Sequence, residues 1–335
     1  MPPFFSIILP TYNRAGMVRT ALKTIEWQTD RDFECWVVDD GSSDKTAEAL
    51  KPYEGRPAFH VLASPLNQGM NASRNLAIQR ATGSFITFLD SDDLWLPERL
   101  EAFRRRIQEA PRAEFLFSNS YLLRYGRIVG TLFDPCRAIP EGRVPGYYAI
   151  GGQRLPYVTT NVAIARSAFE RHGLFRTEMK TLDTELFVRF LGHGLPVAVL
   201  RQPLSVRRLH EDQLTDRYEE NFRESLQALE ASDAPGELRP RIREAVAREV
   251  GLYLVKAGSP GKARTFLRTH LGPSAPRGWD WWLSLLPGWL LLALKRLRKG
   301  ALRLRYHPLW TPSSFRRTLE TIKPLLEAES TPGQG

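Results

Sequence analysis

The sequence predicts an α/β fold: a mostly parallel mixed sheet with helices on both faces, plus a C-terminal helical extension. Three observations lead there. Apolar runs alternate with segments of helical periodicity through residues 4–108. Each of those runs ends in a polar cluster, and the clusters share one kind of chemistry. The excess positive charge sits in the last third of the chain. Runs that are apolar throughout, rather than alternating, mark strands buried on both faces, as in parallel sheets.

The elements follow in order. "FFSIILP" (4–10) is the first strand, and Val18, Leu22 and Ile25 then recur at helical spacing. "FECWVVD" (33–39) is the second strand. Ser43 is placed to cap a helix running to about Tyr53. "AFHVLAS" (58–64) is the third strand, and "NQGMNASRNLAIQRA" (67–81) is a loop running into a helix. "SFITFLD" (84–90) is the fourth strand, and Pro97 suits the start of a helix ending near Gln108. Beyond residue 110 the pattern is mixed. "EFLFSNSYLLRY" and "RIVGTLF" form a strand pair, and a Gly/Pro-rich stretch, 135–156, forms a loop over the site. "VTTNVAIA" (158–165) is a strand, and "TLDTELFVRFLGHG" (181–194) begins a helix with Asp183 near its N-terminus. "PVAVL" and "LSVRRLH" are two closing strands, followed by a helical segment to about residue 230 and the linker "ASDAPGELRP". Three regions result: a body over 1–230, a basic and mainly helical region over 231–327, and a disordered tail over 328–335.

Composition bounds the partners. Residues 1–230 hold 29 Lys+Arg and 29 Asp+Glu, whereas residues 231–335 hold 18 and 8, which accounts for the net charge of +10. A neutral body with a basic appendage suggests a second task, at nucleic acid or at an anionic membrane surface. Two cysteines, Cys35 and Cys136, support neither a disulfide framework nor a Cys-rich zinc site, so a reducing cytoplasmic setting is expected. The opening "MPPFFSIILPTYNR" has no basic n-region and no small-residue cleavage site, and does not read as a signal peptide.

Ligand sites in such sheets lie at the carboxyl ends of the strands. "PTYNR", "DDGSSD", "NQGMNASRN" and "DSDD" follow strands one to four, so four neighbouring loops line one crevice. The three aspartates of "FITFLDSDDLWLP" (85–97) repel one another unless something positive joins them. Hard oxygen ligands suit magnesium or manganese, which bind one or two carboxylates together with substrate phosphates. Asp90 and Asp92 share a face of an extended segment and are read as ligand or ribose contacts, while Asp93 is read as a helix cap. No Walker-type "GxxxxGK[ST]" is present, which argues against a phosphate loop of that kind.

"SIILPTYNR", "VVDDGSSD", "NQGMNASRNLAIQRATGSFITFLDSDDLWLPERL" and "LDTELFVRFL" together, in this order and spacing, resemble the family 2 glycosyltransferases over roughly residues 4–210. The resemblance implies a GT-A (Rossmann-like) fold and an inverting, metal-dependent transfer from a nucleotide-sugar, a UDP-sugar first among them. It implies Mn2+ or Mg2+ as cofactor. It places Pro10 and Tyr12 around the base, with Tyr12 stacking on it, as aromatic faces do. Thr11 and Asn13 of the same motif join the nucleotide-sugar site. One carboxylate of "VVDDGS" accepts the ring N–H of the base: Asp40 is favoured and Asp39 is the second choice. Arg74 lies near the ribose or base, Asn67 and Gly69 shape its loop, Asp90 touches the ribose beside Ser91, and Asp92 ligates the metal. Asp183 matches the family's base position. Leu182 stands where a preceding Glu is usual, leaving that role unfilled or passed to Glu178 or Glu185. His210 is expected at the metal or diphosphate.

The segment 279–310 carries Trp279, Trp281, Trp282 and Trp289, and then six basic residues between Lys295 and Arg305 with no acidic one. Its uncharged stretch of 14 residues, 281–294, is broken by Pro287 and Gly288 and falls short of the ~20 a spanning helix needs. Tryptophans beside basic residues describe a segment lying in a membrane interface. The expectation is a cytoplasmic enzyme, peripheral on the inner face of the cytoplasmic membrane. Its acceptor would be a saccharide or a lipid-linked sugar, in synthesis of surface polysaccharide, lipopolysaccharide or glycolipid. The alternatives are a nucleotide-sugar-binding protein without catalysis and a basic nucleic-acid binder. The second lacks any aromatic-rich basic motif or zinc-finger spacing.

Overall fold

The computed structural model describes residues 2–136, 138–144, 158–178, 184–209, 239–256, 259–272 and 313–330, with residues 220, 222–224, 226–227 and 285 besides. Its framework is a nine-stranded sheet in the order β3-β2-β1-β4-β8-β6-β9-β5, with β7 added alongside β6.

Strands β1 (Phe5–Thr11), β2 (Phe33–Asp39), β3 (Phe59–Ala63) and β4 (Phe85–Phe88) pair in parallel around β1. Strand alternation divides the core between the two faces. Phe5, Ile7, Leu9, Cys35 and Val37 pack on one face with helix α1 (Ala15–Glu26), while Ile8, Val38, Ile86 and Phe88 pack on the other. Helix α1 contributes Val18, Ala21, Leu22 and Ile25, at the spacing that makes one helical face apolar. Helices α2 (Thr46–Leu50), α3 (Met70–Ile78) and α4 (Arg99–Glu109) complete the crossovers. Strands β5 (Leu94–Trp95), β6 (Phe115–Arg124), β7 (Arg127–Thr131), β8 (Val162–Ala165) and β9 (Val197–Arg208) extend the sheet, with β8 antiparallel to β4 and β6, and β9 parallel to β6. Helices α5 (Arg166–His172) and α6 (Thr184–Gly192) cover one face.

Several elements differ from the sequence reading. The residues read as two closing strands form one continuous β9, whose pairing with β6 shifts register around Asn119, so it passes Pro203 without a break. Residues 159–161 form a 3-10 turn before β8 instead of its first half. Strand β5, only two residues long, has too little pattern to be seen in sequence. Helix α2 starts at Thr46 and Ser43 does not cap it; the Ser43 amide instead donates to Asn13 Oδ1 at 2.8 Å.

The C-terminal region holds helices α7 (Arg239–Lys256), α8 (Pro260–Leu271) and α9 (Ser313–Ser330). Helices α7 and α8 pack on each other and on Phe222 through Val246, Val250, Leu254 and Ala263. Helix α9 behaves differently. Its Ile322 is fully buried against Leu94, Leu96, Tyr121, Leu123, Ile128 and Val206 of the sheet, and Phe315 meets the Tyr121 ring edge-on at 5.3 Å. It runs to Ser330, three residues into the stretch 328–335 expected to be disordered.

Candidate functional site

The parallel register brings the ends of β1 and β2 level: Thr11 lies opposite Asp39, and the Asp40 amide donates to Thr11 O at 2.9 Å. Asn13 then turns the chain with a left-handed φ of 51°. Its side-chain oxygen accepts from the amides of Ser43 (2.8 Å) and Asp44 (3.3 Å), and its own amide donates to Ser42 Oγ at 2.8 Å. Asn13 therefore stitches the first two loops together. This geometry leaves Tyr12 standing out, 43 % exposed, with its ring face available. Pro10 is buried within β1, and Thr11 is buried with no partner for its hydroxyl among the described residues.

The third loop is fixed by Asp40. Its Oδ1 accepts the Gln68 amide at 2.9 Å and its Oδ2 the Gly69 amide at 2.8 Å. Asn67 Oδ1 also accepts the Gly69 amide, at 3.1 Å, so both residues take part in the turn of this loop. Gly41 makes the arrangement possible. Its φ is +73°, and a Cβ there would lie 2.7 Å from the backbone carbon of Leu66. Asp40, the favoured base contact, is thus engaged on both oxygens. Asp39 accepts only the Ser42 amide (3.0 Å) among the described residues, on Oδ1.

Arg74, on α3, is 1 % exposed. Its Nη2 donates to Asp90 Oδ1 at 2.8 Å and to Thr159 Oγ1 at 3.3 Å, its Nη1 donates to Asn71 Oδ1 at 3.3 Å, and the guanidinium lies 5.3 Å over the Phe175 ring. Only a forked, planar cation makes so many directed contacts at once.

The fourth loop holds the acid cluster. Carboxylate oxygens of Asp90, Asp92 and Asp93 lie within 4.8 Å of one another. The Asp93 amide closes a turn onto Asp90 O at 2.9 Å. Asp93 does not cap a helix: α4 begins at Arg99, and Asp93 Oδ1 accepts the Arg208 amide at 3.0 Å. Burial, together with the charges of Asp92 and Asp90, pushes the Asp93 carboxyl well above the usual range. Three hard oxygen donors drawn this close together are a donor set that fits Mg2+ or Mn2+. Arg14 partly answers the same charge, its Nη1 lying 2.5 Å from Asp92 Oδ2.

Sequence reasoning passed over Arg14, Arg208 and Thr159. Arg14 directly follows the "PTYN" motif, and Arg208 shares the inward face of β9 with Leu204 and Val206, a period-2 signal that was legible. Thr159 gave no signal. Asp183 and His210 lie outside the described residues, as does segment 279–310 apart from Leu285. Glu185, one substitute for the missing acid, is 3 % exposed and clamped by Arg189 at 2.7 Å, so it faces inward; Glu178, the other, is exposed.

Residues 6–121 match the family model described as glycosyl transferase family 2. EpsH of Bacillus subtilis (strain 168), named as a glycosyltransferase, is 26 % identical over 268 residues, which cover 76 % of this chain and 74 % of EpsH. WcaA of Escherichia coli (strain K12), named as a colanic acid biosynthesis glycosyl transferase, is 30 % identical over 196 residues, 56 % of this chain and 66 % of WcaA. Among solved structures, S. aureus TarS 1-349 in complex with UDP superposes with a TM-score of 0.58 at 19 % identity, covering 92 % of each chain. The fold is that of the GT-A glycosyltransferases.

Proposed function

The chain belongs to glycosyl transferase family 2 and is a glycosyltransferase, and we propose that it moves a sugar from a nucleotide-sugar, a UDP-sugar first among them, to a hydroxyl acceptor with inversion. The acceptor is a saccharide or lipid-linked sugar in the synthesis of a cell-surface polysaccharide, lipopolysaccharide or glycolipid. The observation that carries this reading is the convergence of an exposed Tyr12, the Asp39 carboxylate, the Arg74–Asp90 pair and the Asp90–Asp93 acid loop at one edge of the sheet.

Each group has a part in that chemistry. Tyr12 stacks on the base. Asp39 takes the base's ring N–H, because both oxygens of Asp40 already hold the loop of Gln68 and Gly69. Arg74 orients Asp90 toward the ribose. Asp92, with Asp93 beside it and His210, two residues beyond β9 in the sequence, would hold a divalent cation. Bound there, that cation supplies positive charge where the departing diphosphate becomes more negative. Asp183, immediately before α6 in the chain, takes the acceptor proton on the opposite side of the sugar, and Glu178 is positioned in sequence to meet the acceptor. The basic tryptophan-rich segment 279–310 would rest on the inner face of the cytoplasmic membrane. Among the described residues no helix is long and apolar enough to cross a membrane.

The test is a donor screen. Nucleoside diphosphate release is measured from a panel of nucleotide-sugars, with manganese or with chelator, on wild type and on Asp183→Asn. Metal-stimulated release from one donor, abolished in the variant, is expected. Release that ignores the chelator, or survives Asp183→Asn intact, contradicts the mechanism.

A further inference from the structure

The acid loop is held from behind by a residue that lies far away in sequence. Arg208, the last residue of β9, is 7 % exposed. Its Nε donates to Asp92 O, its Nη2 to Ser91 O at 3.3 Å, and its backbone amide to Asp93 Oδ1 at 3.0 Å. One residue therefore grips three consecutive members of the loop whose carboxylates form the cation-type donor set. The remaining arm of the guanidinium, Nη1, donates to Glu329 Oε2 at 2.6 Å. Glu329 is the penultimate residue of α9, 121 positions further on.

The second oxygen of Glu329, Oε1, is buried with no hydrogen-bond partner among the described residues, a costly state for a carboxylate. The helix carrying it is docked by its own apolar face, through Ile322 and Phe315, which could hold α9 in place without any charge at Glu329. The carboxylate also lies beside the first turn of α1, where a Cβ added to Gly16 would be 3.5 Å from Glu329 Cγ. Arg14, whose side chain meets Asp92 Oδ2, immediately precedes that turn. Asp92 is thus bracketed: Arg208 holds its backbone from the Glu329 side, and Arg14 holds its carboxylate from the α1 side.

We propose that Arg208 and Glu329 are positioning residues for the donor site, through which the C-terminal helix α9 sets the geometry of the Ser91–Asp93 backbone and so the aim of the Asp90 and Asp92 carboxylates. The guanidinium fork is planar, so fixing one arm on Glu329 fixes the direction of the other two toward the loop carbonyls. The donor site is then incomplete without residues near the C-terminus, although the four loops that line it all lie before residue 94. This inference rests on the proposed role of the acid loop.

The full-length chain is compared with Glu329→Gln, Arg208→Lys and Ile322→Val. The last variant loosens the docking of α9 without touching the ion pair. Two quantities are read: Mn2+ affinity in the presence of UDP, by calorimetry, and amide hydrogen exchange of residues 90–95 in the ligand-free protein. Partners that orient ligands from behind are typically worth 10–100-fold in metal affinity, so Glu329→Gln and Arg208→Lys are expected to weaken Mn2+ about tenfold or more. Exchange at residues 90–95 rises by roughly the same factor, local opening being what exchange reports. Ile322→Val lowers the melting temperature and leaves both readouts at the wild-type level. Wild-type values for Glu329→Gln in both measurements overturn the proposal, and so does Ile322→Val reproducing the losses of Glu329→Gln. If wild type itself shows no Mn2+ uptake with UDP, the metal reading of the donor site fails, and the exchange data alone decide whether Glu329 orders the loop.

Discussion

Arg74 Nη2 lies 2.8 Å from Asp90 Oδ1, and the guanidinium that makes this bond is 1 % exposed while the carboxylate is 25 % exposed. A buried cation thus presents a half-open anion at the crevice, fixing its direction while leaving one side for a ligand. Arg74→Met removes the donor to Asp90, Asn71 and Thr159 together. Breaking a buried pair from one side costs about 3–5 kcal/mol, scaled down here by the exposure of Asp90. Urea denaturation is expected to show a loss on the order of 2 kcal/mol, and UDP titration a loss of affinity. Arg74→Lys keeps the charge without the fork and should fall between the two. Unchanged UDP affinity in Arg74→Met would remove Asp90 from the ribose site.

If Asp92 holds the cation as proposed, Arg14 competes with it for that carboxylate. Its side chain is 28 % exposed and sits 2.5 Å from Asp92 Oδ2. Such a pair is worth about 1 kcal/mol, so Arg14→Gln is expected to tighten Mn2+ binding to the nucleotide-free protein by roughly fivefold. Calorimetry reads this directly. Weaker binding in the variant would mean that Arg14 shapes the site instead of competing for it.

In the proposed reading, Tyr12 and Asp39 divide base recognition between stacking and pairing. Tyr12→Ala is expected to weaken UDP by about 1–3 kcal/mol, whereas Tyr12→Phe binds as wild type. Asp39→Asn weakens UDP and leaves the fold intact. Asp40→Asn acts first on protection of the Gln68 and Gly69 amides, since those are what its carboxylate holds. If Asp40→Asn alone abolishes binding while amide exchange stays normal, the base contact belongs to Asp40.

Glu34 supplies a pH-dependent brace at the opposite end of the sheet. Its Oε1 accepts from Ser6 Oγ (2.6 Å), the Thr82 amide (2.6 Å) and Thr82 Oγ1 (3.0 Å), joining β2 to β1 and to the turn before β4. Burial alone would raise its pKa, but the bonds from Ser6 and Thr82 outweigh it and hold the carboxyl below its usual value. A carboxylate with a depressed folded pKa stabilises above the unfolded pKa and loses that contribution as pH falls through the folded value. Glu34→Gln is therefore expected to be less stable by about 2 kcal/mol at pH 7. The difference from wild type should shrink as the pH drops below about 4. Denaturation curves at pH 7 and pH 3.5 that differ by the same amount would contradict this.

Most of the sheet was legible because its strands carry their own signal. Strands β1 to β4 are apolar runs with polar ends, and their register puts Thr11, Asp39 and the acid loop at one edge without further information. The roles of individual side chains were harder to read. Asp39 and Asp40 look alike in sequence. What separates them is that Asp40 faces the loop after β3, a contact fixed by Gly41 and Gly69 twenty-eight residues apart. Asp93 was misread as a cap because its partner, the Arg208 amide, lies 115 positions away. Helix α9 was read as the end of a basic appendage. Its amphipathic pattern shows that one face is buried, but not that the buried face lies on β5, β6 and β9 beside the site.

The account depends most on the acid loop as a cation seat for the diphosphate. UDP affinity measured by calorimetry, with Mn2+ and with chelator, on wild type and Asp92→Asn, tests that most directly. Manganese should tighten UDP binding to wild type at least about tenfold and should leave Asp92→Asn unaffected. Equal UDP affinity with manganese and with chelator in wild type, or an undiminished manganese effect in Asp92→Asn, would contradict it.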